Sequence, residues 1–149
     1  MSAPLKPILL VEDNPLDLEL TLSAFEKCKL GNDVTVARDG AEALDYLFLE
    51  EERPLHEMPV VIILDIKLPK LDGLEVLEKI RQHPKTRYIP VVMLTSSREE
   101  EDLVRSYKLG VNAFVVKPVG YKEFFAAIYE LGMFWGVFNE PPPGFRKRG

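Results

Sequence analysis

The chain has 149 residues, 46% of them hydrophobic, which is the length of one ordinary domain with enough apolar material for a real core. A formal net charge of -5, with no basic stripe except the terminal Arg146-Lys147-Arg148, excludes general nucleic-acid binding. Cys28 is the only cysteine, so a disulfide within the chain and a cysteine-based metal site are both excluded; no secretory signal and no run of about 20 apolar residues is present, so a soluble protein of the reducing cytoplasm, away from membranes, is expected.

The first apolar run, Ile8-Leu9-Leu10-Val11, is predicted as a strand. It ends on Glu12-Asp13, after which Asn14-Pro15 supplies a helix cap and a proline at the first helical position. Leu18, Leu22 and Phe25 mark one face of that helix, which Gly31-Asn32 ends; Cys28 falls in its pattern and is expected to pack in the core. Val34-Thr35-Val36-Ala37 is short and partly polar, as suits an edge strand. Arg38-Asp39-Gly40 turns it into a second helix carrying Ala41, Leu44, Leu47 and Phe48. The stretch from Glu50 to Pro59 has no apolar period and reads as a surface loop.

Val60-Val61-Ile62-Ile63-Leu64 is apolar at every position, the mark of a strand covered on both faces in a parallel sheet, and it stops on Asp65. Asp72-Gly73 then leads into a helix with Leu74, Leu77 and Ile80 on one side, closed by His83-Pro84. His56 and His83 lie in or beside loops without spaced ligand partners and read as solvated surface histidines. Val91-Val92-Met93-Leu94 ends on Thr95-Ser96-Ser97. The helix predicted from Arg98 to Lys108 turns Leu103 and Tyr107 inward or sideways, and Gly110 stops it. The fifth run, Ala113-Phe114-Val115-Val116, ends on Lys117-Pro118.

Five strands alternating with five helices predict an α/β fold with a doubly wound parallel sheet in the order 2-1-3-4-5, flavodoxin-like in its winding. In that order Glu12, Asp13 and Asp65 meet where the winding reverses, and Thr95 and Lys117 rim the same crevice. Three converging carboxylates call for a cation, and the lack of nearby histidine or thiolate disfavours zinc. Mg²⁺ suits the oxygens: Asp13 and Asp65 directly, Glu12 through water, and the backbone carbonyl of Lys67 from the turn. Taken singly, Lys117 is an ordinary salt bridge to the acidic pair and Thr95 a strand-end hydroxyl. Together they make sense if Asp65 gains negative oxygens, as it would on becoming an aspartyl phosphate.

Glu12-Asp13, Asp65 with Pro69 and Gly73, Thr95, and Lys117-Pro118 resemble the receiver domain of two-component response regulators, from about Pro7 to the final helix. The resemblance implies that a histidine kinase donates a phosphoryl group to Asp65, with Mg²⁺ held by Glu12, Asp13 and Asp65. It implies no enzyme beyond a phosphoacceptor that catalyses its own phosphorylation and dephosphorylation. It further implies that Thr95 and Phe114 act as a switch toward the face of the fourth helix, fifth strand and fifth helix, and that the Lys117-Pro118 bond is cis. Phe114 stands where many members have Tyr. The expected division is a receiver domain over 1–138 and a proline-rich tail over 139–149, with too few residues left for a DNA-binding module, hence a stand-alone receiver. The Glu50 to Pro59 loop and the ending from Trp135 to Pro143 are similar to small receivers that serve phytochrome-type histidine kinases.

Three competing functions fit less well. A haloacid-dehalogenase-like phosphatase needs a second Asp where Lys67 stands, and an FMN-binding module would have its phosphate repelled by Glu12-Asp13-Asn14. A degenerate docking receiver would have lost an acidic, acceptor or lysine position, and none is lost. Signal output, a phosphorelay intermediate and a phosphate sink remain open alternatives. In the last helix Phe124, Ile128, Leu131, Trp135 and Phe138 form one apolar stripe that can cover the sheet, and Phe125, Tyr129, Met133 and Val137 form a second. The second stripe and the extended prolines at 141 to 143 predict a homodimer through the C-terminal helix and tail.

Overall fold

The computed structural model describes residues 6–27, 31–48 and 58–140; Cys28, His56, most of the Glu50 to Pro59 loop and the prolines at 141 to 143 lie outside the described residues. The elements follow in strict alternation: β1 (Ile8–Val11), α1 (Pro15–Lys27), β2 (Val34–Ala37), α2 (Gly40–Phe48), β3 (Val61–Leu64), α3 (Gly73–Gln82), β4 (Val91–Thr95), α4 (Glu100–Lys108), β5 (Ala113–Val116) and α5 (Tyr121–Leu131). A π-helical segment, Gly132–Phe138, continues α5. The sheet is five-stranded in the order β2-β1-β3-β4-β5, and all its pairings are parallel, as the sequence predicts.

Because successive side chains of a strand point to opposite faces, each central strand feeds two cores at once. Leu9, Val11, Ile62, Leu64 and Met93 pack on one face with Leu47, Leu74, Leu77 and Ile80 of α2 and α3. Ile8, Leu10, Val61, Ile63, Val92 and Leu94 pack on the other with Leu18 and Phe25 of α1 and Phe124, Ile128 and Leu131 of α5. Full burial of one such aliphatic side chain is worth roughly 1.5–3 kcal/mol, so the layered core fixes the register. That register sets Val11 beside Leu64, and the ladder runs one step further, with Asp65 N–H donating to Val11 O at 3.2 Å. Glu12 and Asp65 are thereby forced to be neighbours.

Two expectations are corrected. Leu103 and Tyr107 do not face inward: they are exposed, with Val104, while Asp102 and Ser106 are the buried residues of α4. The phase of this helix is set by polar ties, since Asp102 Oδ2 accepts from Ser97 Oγ at 2.7 Å and lies 3.8 Å from Lys67 Nζ. Trp135 extends the stripe of Phe124, Ile128 and Leu131, but Phe138 does not, and is 69% exposed. Hydrogen bonding over five residues winds the chain more slowly than an α-helix, as in Asn139 N–H to Phe134 O at 2.6 Å, so the stripe loses phase after Trp135.

Candidate functional site

The ends of β1, β3, β4 and β5, with the start of α1, build one polar crevice. Glu12 and Asp65 are buried there and Asp13 is exposed. Asn14 caps α1, its Oδ1 accepting from Asp17 N–H at 3.0 Å, while Glu12 Oε2 accepts from Asn14 N–H at 3.2 Å. Asp65 Oδ1 accepts from the Lys67 backbone N–H at 3.2 Å, which places the Lys67 turn against the carboxylate while the Lys67 side chain runs out to solvent. Gly73 lets the start of α3 close on this turn: its N–H donates to Ile66 O at 2.8 Å, and a Cβ there would collide with the Asp65 carbonyl.

Lys117 is the centre of the charge arrangement. Its buried Nζ lies 2.6 Å from Glu12 Oε1, 2.8 Å from Asp17 Oδ2 and 2.9 Å from Asp65 Oδ2. Its backbone N–H donates to Thr95 O at 2.7 Å, locking β5 to β4 at the crevice. Burial alone would pull the ammonium down, but hydrogen bonds to Asp17 and Glu12 and the charge of Asp65 outweigh it and hold Lys117 above its ordinary value. Glu12 is raised to about 7, by burial first and then by the charge of Asp65, against the opposing pull of Lys117. The resemblance implies a cis Lys117-Pro118 bond; the described residues contain no cis peptide, so this bond is trans. The trans form is the favoured isomer by roughly 0.5–1 kcal/mol, and three carboxylates already orient the lysine.

Thr95 is buried beside the crevice, its Oγ1 accepting from Ser97 N–H at 3.2 Å. Phe114 lies one strand over, in register with Met93, and its ring packs half-buried against the core. His83 is exposed beyond α3, its ring 4.7 Å from that of Phe48, far from the acidic cluster in the fold. Carboxylate oxygens of Glu12, Asp13 and Asp65 all lie within 4.8 Å of one another. Opposite ligands of an octahedral Mg²⁺ stand about 4.2 Å apart, so this all-oxygen set fits a hard divalent cation after a small contraction. The exposure of Asp13 leaves room for the waters such an ion keeps.

Sequence reasoning missed Asp17 and Asp102. Asp17 could have been found: an acid three residues after the Asn14 cap sits on the first turn of a helix that starts at the crevice. Asp102 could not, because only the folded β4-to-α4 connection brings it to Ser97.

Fold and site together define a doubly wound signalling-type α/β domain with a lysine-closed acidic pocket at its strand ends. Residues 8–129 match the response regulator receiver domain, and the chain belongs to that family. Response regulator Rcp1 of Synechocystis sp. is 38% identical over 134 residues, 90% of this chain and 91% of that protein. The structure of the phosphorylated cyanobacterial phytochrome response regulator RcpA is 38% identical with a TM-score of 0.84, covering 92% of this chain and 98% of that one. The bacteriophytochrome response regulator RtBRR is 62% identical with a TM-score of 0.70, covering 94% and 86% respectively. Rcp1 has also been solved in a Mn²⁺-bound form. Family membership implies a divalent metal and a histidine kinase partner. Among the described residues no helix is long and apolar enough to cross a membrane.

Proposed function

We propose that this receiver domain takes a phosphoryl group from a histidine kinase onto Asp65 and signals by the change of conformation that follows. The observation that carries the reading is the buried Lys117 ammonium 2.9 Å from Asp65 Oδ2, with the oxygens of Glu12 and Asp13 clustered on the same carboxylate. An Asp65 oxygen attacks phosphorus, an O–P bond forms as the N–P bond of the kinase phosphohistidine breaks, and the departing electron pair returns to the imidazole, which takes up a proton. Glu12, Asp13, Asp65 and the Lys67 carbonyl would hold Mg²⁺, which would supply positive charge beside the transferring group. Lys117 meets a phosphoryl oxygen, and Thr95 offers it a hydroxyl. Movement of Thr95 and Phe114 passes the change to α4, β5 and α5, where Leu103, Val104 and Tyr107 are exposed. The domain runs over 1–138, with 139–149 as its tail, and works in the cytoplasm.

Asp65→Asn keeps the shape of the site but supplies a far weaker nucleophile. Labelling from a phosphorylated kinase or from acetyl phosphate should fall at least a hundredfold, with the circular dichroism spectrum unchanged; labelling at the wild-type level would move the acceptor elsewhere.

The partner kinase is of phytochrome type, a reading supported by the similarity to Rcp1, RcpA and RtBRR. The domain pairs with a second copy through its C-terminal helix and tail, a reading supported by the exposure of Tyr129, Phe134, Val137 and Phe138. Deleting the chain from Asn139 onward, or placing charges at Tyr129 and Met133, should shift sedimentation toward monomer. A wild-type chain that stays monomeric at high micromolar concentration sinks the dimer.

A further inference from the structure

An ammonium group has three N–H bonds, and three carboxylates crowd around that of Lys117. Asp17 and Asp65 each accept a hydrogen bond, at 2.8 and 2.9 Å, and Glu12 forms an ion pair at 2.6 Å. A phosphoryl oxygen arriving at Asp65 therefore competes for Lys117 with the carboxylates already against it. Glu12 cannot turn to water, because its side chain is 2% exposed, so it stays in the crevice among the cations there, Lys117 or a metal ion in the acidic trio. Asp65 carries the phosphoryl group and stays beside the lysine. Asp17 is different: its side chain is 24% exposed, so water can take over the lost hydrogen bond, and it lies outside the acidic trio that suits a metal.

The Asp17 backbone is also well held. Its N–H donates to the Asn14 cap at 3.0 Å and its carbonyl accepts from Thr21 Oγ1 at 2.7 Å, so the carboxylate is presented to Lys117 from a fixed turn of α1. We propose that Asp17 is a positioning residue that competes with the incoming phosphoryl group for Lys117, holding the lysine in the resting site and releasing it when Asp65 is phosphorylated. This rests on the phosphoacceptor reading of Asp65. A ligand of Lys117 present only in the resting state lowers the affinity of the site for a phosphoryl group, by the ordinary rule that an equilibrium shifts only through differential interactions.

Beryllofluoride, a phosphoryl mimic, is titrated into the full chain at saturating Mg²⁺. Asp17→Asn keeps the side-chain shape and removes the charge, and it should bind beryllofluoride about three- to tenfold more tightly than wild type. Asp17→Glu, which restores a carboxylate, should return toward the wild-type value. Unchanged or weaker binding by Asp17→Asn overturns the competition. A second measurement needs no variant: in ¹³C-labelled wild-type protein the Asp17 carboxyl resonance should move toward that of a solvated carboxylate on beryllofluoride binding, and a resonance that stays put overturns the release. Wild type that does not bind beryllofluoride, or Asp65→Asn that binds it equally well, overturns the phosphoacceptor reading and this proposal with it. Wild type that binds while Asp17→Asn matches it removes the role of Asp17 alone.

Discussion

Each end of the sheet holds a cation, and the two are held in opposite ways. At the carboxyl ends of the strands Lys117 is surrounded by carboxylates. Toward the amino ends Arg81 donates to neutral oxygens: Nε to Gly110 O at 2.9 Å, Nη1 to Ile89 O at 2.7 Å and Arg87 O at 3.2 Å, and Nη2 to Asn112 Oδ1 at 2.8 Å. Asn112 Oδ1 also accepts from Val91 N–H at 2.8 Å, so a single fork ties the end of α3 to the entry of β4 and the entry of β5. Burial pulls Arg81 below its ordinary value with no carboxylate to offset it, whereas the carboxylates more than offset burial at Lys117. Carboxylates around a cation leave an arrangement that a metal or a phosphoryl group can rewrite, because each partner has another charge to turn to. Three of the oxygens on Arg81 are backbone carbonyls that cannot turn away, and the fourth, Asn112 Oδ1, is itself held by Val91 N–H. One cation belongs to a switchable site and the other to a fastener.

Exchanging the two defects sharpens that contrast. Lys117→Ala should abolish the beryllofluoride response, by a hundredfold or more in affinity, while Mg²⁺ still binds to the carboxylates it leaves behind. Arg81→Ala should do the reverse, lowering unfolding stability by about 2–4 kcal/mol while leaving beryllofluoride affinity within about twofold of wild type. Arg81→Lys should recover less than half of that loss, since a point charge cannot replace a planar fork. Denaturant titration and beryllofluoride binding on the three proteins decide it. An Arg81→Ala chain that is stable but blind to beryllofluoride would erase the distinction between the two ends.

The legible parts of the chain were those where one rule acted alone. Short continuous apolar runs such as Val61–Leu64, bounded by turn residues, read as strands covered on both faces, and their alternation with helices suggested the sheet order in which Glu12 meets Asp65. Apolar spacing served α3 well, with Leu74, Leu77 and Ile80 buried behind an Asp72 cap that accepts from Glu75 N–H. It failed on α4, where Leu103 and Tyr107 lost to a buried Asp102 held by Ser97, because a polar tie across a loop leaves no period in the sequence. It failed again at Phe138, because the change from four-residue to five-residue hydrogen bonding is not written in side-chain spacing. In the site, the residues on strand ends could be placed from topology, while Asp17, a helix residue, needed the course of the Lys117 side chain.

The smallest expected effect tests the carboxylates themselves and turns on Glu12, raised from 4.5 to about 7 in the metal-free fold by burial and by Asp65. A carboxyl whose folded value lies above its unfolded one binds more protons in the native state across the interval between them. Its contribution to stability is therefore complete below about pH 4.5 and is lost as the pH rises through about 7. Metal-free protein should lose on the order of 1–3 kcal/mol over that window. Mg²⁺ competes with the same proton, so its apparent affinity should rise about tenfold between pH 6 and pH 8 and then level off. Saturating Mg²⁺ should remove most of the pH dependence of stability, because the cation takes the place of the proton. Lys117 does not titrate in this range, being held above its ordinary value, so it adds no proton of its own to the profile. Thermal unfolding and Mg²⁺ titration across that pH range, with Glu12→Gln as the control that cannot ionise, measure both slopes. A wild-type profile as flat as that of Glu12→Gln would mean that Glu12 is ionised throughout and that Lys117 alone has settled the charge at this end of the sheet.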